Sequence, residues 1–144
     1  APKISTYRLA PINQFDNKTS TWDMLRDVNL QLHKLGPTYI TLRSVNVFHH
    51  PSVPEGCSGI DTSLYLKDIE GDDLLVGEFE RPEQQFFILV VNKSLHHSTA
   101  FKPVFKEKGD VAFINGYTGT SAGWAGENNW LAPGQGMLMC LKKN

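Results

Sequence analysis

Leu74-Leu75-Val76-Gly77-Glu78-Phe79-Glu80 and Gln85-Phe86-Phe87-Ile88-Leu89-Val90-Val91-Asn92 are two apolar-rich runs joined through a turn at Arg81-Pro82-Glu83. The second contains Phe86 to Val91, the longest apolar stretch of the chain. Six residues match one buried strand and fall far short of the roughly 20 needed to cross a bilayer. Further short runs lie on both sides: Ser44 to His49 and Ser63 to Ile69 before the pair, and Ala100 to Lys106, Val111 to Asn115 and Gly136 to Leu141 after it. Glu70-Gly71-Asp72-Asp73, Lys108-Gly109-Asp110 and Pro133-Gly134 separate them with residues that favour turns. Short strands at this spacing, with no βαβ alternation and no internal repeat, predict an antiparallel sandwich or barrel, and of the two a β-sandwich of jelly-roll or immunoglobulin-like type is expected.

Before the strands stands one helix. Trp22, Leu25, Val28, Leu32 and Leu35 recur at spacings of three and four and share a face. Ser20 is the expected N-cap, with Asp23 as its capping-box partner. Gly36 is expected at the left-handed C-terminal position, and Pro37 to end the helix. Pro2 and Pro11 mark the first dozen residues as an extended arm. The expected organisation is therefore an N-terminal arm and amphipathic helix over 1–43, followed by a β-sandwich over 44–144. A start at Ala1-Pro2-Lys3 without Met suggests a processed or excised chain.

Composition narrows the function. The 144 residues carry 14 basic and 15 acidic side chains, a formal charge of -1, which lacks the basic footprint of a nucleic-acid binder. No membrane span or signal peptide is visible. Cys57 and Cys140, the only two cysteines, are compatible with a long-loop disulfide or with two plain thiols.

Several segments resemble parts of larger enzymes. Trp22 to Asn29, Leu35-Gly36-Pro37 and Leu42-Arg43-Ser44 resemble the last barrel helix of a (β/α)8 glycoside hydrolase and the corner leading into its C-terminal β-sandwich. Asn129 to Met139 is similar to the last hairpin of such sandwiches, and Phe87 to Asn92 to a central strand. The roughly 250 residues of a catalytic barrel are missing. The resemblance implies a non-catalytic accessory domain, similar to a carbohydrate-binding module, from a secreted enzyme that degrades plant-type polysaccharide such as cellulose or hemicellulose. It implies an extracellular, monomeric module whose partners are a glycan and the catalytic domain of the same parent chain.

Sugars are held by an aromatic ring against a pyranose C–H face, with amides and carboxylates bonding the hydroxyls. The stretch Asn115 to Trp130 has that composition. Its candidate binding residues are Trp124, Trp130, Tyr117, Glu127, Asn128 and Asn129. Trp124, between Gly123 and Ala125-Gly126, reads equally as a stacking platform or as a lid on the sandwich end. Trp130 stands before Leu131, which favours an inward strand position, and Tyr117 has the setting of a corner residue. The competing reading is a structural domain that packs on a barrel through the face of Leu25, Val28, Leu32 and Leu35 without binding sugar.

Other clusters are less specific. Glu78 and Glu80 stand two apart, as a glycosidase pair could, but Phe79 pointing inward between them fits a solvated strand face. No catalytic residue is expected. His49-His50 and His96-His97 lack metal-ligand spacing. Glu70, Asp72 and Asp73 suit a tight acidic turn better than a structural calcium site. No cofactor is expected.

Overall fold

The alternation expected of the opening pair is present. In the computed structural model, which describes residues 10–143, Leu74, Val76 and Glu78 are buried on one face of a strand. The chain runs through a helix α1 (Ser20–Tyr39), β1 (Arg43–His50), a 3-10 turn (Ile60–Thr62), β2 (Leu66–Glu70), β3 (Leu74–Arg81), β4 (Gln85–Asn92), β5 (Thr99–Phe105), β6 (Gly109–Ile114), β7 (Ser121–Gly123), β8 (Asn129–Leu131) and β9 (Gly136–Lys143). Pairing is antiparallel throughout, in a six-stranded sheet β1-β3-β4-β9-β6-β7 and a three-stranded sheet β2-β5-β8. The fold is a β-sandwich with an N-terminal helix, as expected. The three-residue strands β7 and β8 lie within the Gly- and Asn-rich stretch and carry too little alternation to be read from sequence.

The main core lies between the sheets and includes Phe48, Leu66, Ile69, Val76, Ile88, Phe101, Leu131 and Met139. Leu66 and Ile69 both point inward although three apart, because the register of β2 against β5 shifts between Leu66 and Asp68. A second cluster of Phe87, Leu138 and Cys140 sits on the opposite face of the large sheet, beneath Tyr39 and Leu42 at the end of α1. Strand β4 is thus apolar on both faces, which accounts for the unbroken run Phe86 to Val91. At its end, Asn92 is fully buried and turns its amide towards the carbonyls of His97, Leu131 and Ala132.

The helix departs from expectation at both ends. Thr19, not Ser20, is the N-cap residue, with extended backbone; its hydroxyl donates to Ala10 and Pro11 carbonyls instead of capping the helix. At the other end the helix continues through Gly36 and Pro37 to Tyr39. Proline lacks an N–H but can ride in a last turn, and Gly36, without a Cβ, removes the clash between the ring and the side chain of the preceding residue. The amide of Ile40 closes the turn on Gly36 O at 3.0 Å. Of the expected arm, residues 1–9 lie outside the described residues, while Ile12 pairs with Lys18 in a tight antiparallel turn.

Candidate functional site

The stretch expected to bind sugar begins where β6 ends. Asn115 Oδ1 accepts the amides of Tyr117 (2.8 Å) and Thr118 (3.3 Å), and Gly119 N returns to Asn115 O at 2.8 Å. Gly119 has φ +75, and a Cβ there would stand 2.9 Å from Lys34 O of α1, so this turn presses against the helix at a position only glycine fills well. After β7, Trp124 bonds back through its amide to Val111 O at 2.8 Å. Its indole N–H donates to Glu127 O at 2.9 Å, and its ring packs on the main core. Glu127 Oε2 in turn accepts the amide of Ala125 at 2.9 Å. Trp124 is therefore folded back, half-buried, against the core, and Glu127 is engaged in holding its loop.

Trp130 is 68% exposed, against the inward position expected for it. Strand alternation gives the reason: Leu131 is the residue buried in the core, so Trp130 faces outward from the three-stranded sheet. Tyr117, also exposed, borders the groove between α1 and the large sheet with Val28, Leu32, Leu89 and Val91. Asn128 is exposed, while Asn129 is half-buried with an Nδ2 that has no hydrogen-bond partner. The three aromatics face different ways. Tyr117 lies on the helix side of the sandwich, Trp130 on the far side, and Trp124 is folded onto the core.

Glu78 is a residue that sequence reasoning misplaced. It is fully buried, with each carboxylate oxygen accepting two bonds. Oε1 takes Asn46 Nδ2 and the Leu64 amide, both at 2.9 Å; Oε2 takes Ser63 Oγ at 2.9 Å and the Tyr65 amide at 3.0 Å. Phe79 points the other way, into the cluster under the helix. The error was one of phase. The face beneath α1 is also apolar, so Phe79 had a buried place to go without taking Glu78 outward. Glu80 is partly exposed and pairs with Arg43. Burial, together with the Glu80 and Glu78 carboxylates, pushes the nearby Tyr65 phenol up to about 12 against the opposing pull of Arg43.

The remaining candidates stay apart. Cys57 is exposed and Cys140 buried, both as free thiols; burial pushes the Cys140 thiol up. His49 Nδ1 lies 2.8 Å from Lys93 Nζ, and since an ammonium can only donate, that ring nitrogen is the acceptor. His96 and His97 are exposed. Among the described residues no three His, Cys, Asp or Glu side chains converge as a metal site, so Glu70, Asp72 and Asp73 do not assemble into one.

The least buried element is α1. None of its 20 residues is buried, and Met24, Leu25, Val28, Leu30 and Leu32 are each about half exposed. The stripe that ends in Leu35 and Tyr39 over the sheet continues N-terminally through Val28 and Met24. A groove of about 470 Å³ runs beside it, with Leu89 and Val91 of β4 on its sheet side. Comparison with family models, curated proteins and solved structures gives no match.

Proposed function

We propose that this chain is a non-catalytic β-sandwich accessory domain of a polysaccharide-degrading enzyme, packed through α1 on the enzyme's catalytic barrel. The observation that carries the reading is the half-exposed apolar stripe of α1. An amphipathic helix normally gains its stability from the surface its apolar face covers. Here only the last turns of α1 are covered, by the cluster around Phe87, Leu138 and Cys140. The likeness of Trp22 to Ser44 to the closing helix of a (β/α)8 hydrolase names the kind of surface that would cover the rest. Extracellular location and a cellulose or hemicellulose substrate belong to that same likeness.

Independent catalysis has little support, because the buried member of the Glu78 and Glu80 pair already accepts four hydrogen bonds. Sugar binding by the whole Asn115 to Trp130 stretch has less support than docking, because its aromatics are divided among three places.

The test is a triple substitution, Leu25→Gln, Val28→Gln and Leu32→Gln, which keeps helix-forming residues on α1. The unaltered chain is expected to bind an apolar dye such as anilinonaphthalene sulfonate and to raise the thermal midpoint of the catalytic barrel when joined to it. The variant should fold, lose most of the dye signal and give no such rise. Equal dye binding and equal stabilisation by both proteins would reject docking through this stripe.

A further inference from the structure

A second depression opens on the helix-bearing face of the large sheet, at the Thr38 end of α1 and clear of the stripe formed by Leu25, Val28 and Leu32. Strand register explains its position. Phe87 of β4, Cys140 of β9, Ala112 of β6 and Gly123 of β7 stand side by side across four strands. Opposite residues share a face, so beside the Phe87 ring the row falls to a thiol, a methyl group and a bare Cα. The result is a pocket of about 350 Å³, within the range of small-molecule sites.

One row nearer the end of the sheet, Lys142 stands between Gln85 and Asp110, and Arg81 is opposite Gln85. Arg81 and Lys142 both border the pocket. Arg81 is held in place: its Nε donates to Gln85 Oε1, its Nη1 to Thr41 Oγ1 at 3.4 Å, and its guanidinium lies 4.8 Å over the centre of the Phe87 ring. Among the described residues no carboxylate, Asp110 included, comes within ion-pair distance of either cation. Both charges act on the pocket floor, since burial pushes the Cys140 thiol up and Arg81 and Lys142 pull against it.

We infer that this pocket binds a small organic monocarboxylate with a ring-sized apolar body, the ring resting on Phe87, Cys140 and Ala112 and the carboxylate held between Arg81 and Lys142. A planar guanidinium whose Nη2 is unengaged offers a carboxylate paired N–H donors, and an ammonium adds a third. Two cations against the single Asp110 carboxylate select an anion over a neutral or basic molecule of the same shape. The apolar floor selects against inorganic anions, which would lose water there and bury no apolar surface in return. The inference does not rest on the docking reading, because the stripe of α1 lines no part of this pocket.

Titration of the isotope-labelled full chain with benzoate, phenylacetate and phenylpropionate, followed by amide chemical shifts, tests it. At least one of the three should shift the amides of Ala112, Gly123 and Cys140 saturably. The alcohol of the same skeleton, which keeps the ring and loses the charge, should bind at least about tenfold more weakly, as loss of a charge-assisted pair implies. Acetate, which keeps the charge and loses the ring, should also bind at least about tenfold more weakly. Gly123→Leu should abolish the shifts by filling the pocket, and it should fold, since a Cβ at Gly123 meets no atom within 4 Å. Lys142→Glu alters an exposed side chain and should weaken binding of the carboxylate but not of the alcohol. The triple α1 variant should bind the carboxylate like the unaltered chain, which separates this pocket from the docking surface. Absence of saturable shifts with all three carboxylates, equal affinity for the alcohol or for acetate, or undiminished binding by a folded Gly123→Leu or Lys142→Glu would each overturn the assignment.

Discussion

Glu78 shows how much one side chain can organise. The amides of Leu64 and Tyr65 precede β2 and bond the Glu78 carboxylate, so this carboxylate stands in for a strand where the chain crosses from one sheet to the other. Lys106 Nζ, donating to Ser63 O at 2.7 Å, holds the same crossing from the β5 side. A carboxylate can accept four bonds, but an amide sets an NH2 group against at least one backbone N–H, donor against donor. Glu78→Gln is therefore expected to destabilise by about 2–4 kcal/mol in urea unfolding, through buried groups left unsatisfied. Hydrogen exchange at the Leu64 and Tyr65 amides should accelerate with it. An unchanged midpoint would show that the cage is dispensable.

Tyr65 beside it sets a limit on alkaline stability. Its folded pKa of about 12 lies above the ordinary value of 10.0, so the folded state keeps a proton that the unfolded chain gives up. Its contribution is complete below pH 10 and is lost as pH rises through 12. Tyr65→Phe should flatten the fall in stability between those limits while leaving neutral pH little affected. Parallel falls in both proteins would exclude Tyr65 as the cause.

At the scale of elements, the β3–β4 hairpin combines a strong strand pair with a strained turn. Arg81 pairs with Gln85, leaving Pro82, Glu83 and Gln84 as the loop, and Glu83 and Gln84 have φ of 71 and 55. Side chains disfavour that region, whereas glycine enters it freely. Gln84→Gly is expected to stabilise by about 0.5–1 kcal/mol, read as a higher thermal midpoint. A lower midpoint would mean that the Gln84 side chain contributes more than its backbone strain removes. Strand positions themselves were legible because Val, Ile and Phe recur between turn residues. The helix was legible along its length but not at its ends. Whether a Gly-Pro pair ends a helix or rides in its last turn depends on what lies ahead, and here Tyr39 and Leu42 are drawn down onto Phe87 and Leu138.

For the whole molecule, the large sheet has work on both faces. One face closes the sandwich and the other carries α1, while the outer face of the three-stranded sheet exposes Trp130 and Val104 among charged side chains.

The sequence by itself determined a mostly β chain with one leading amphipathic helix, because period-two and period-3.6 patterns of apolar residues are local and survive any arrangement of the elements. Tertiary structure alone decided the phase of each face. Glu78 turned inward because Asn46, Ser63 and two free amides met it there, and Trp130 turned outward because Leu131 took the core. Trp124 folded back because Val111 and Glu127 offered its N–H groups partners beside an apolar surface. Which of two opposite faces a residue occupies is selected by the surface each face meets, and that surface is assembled only when the sheets pack.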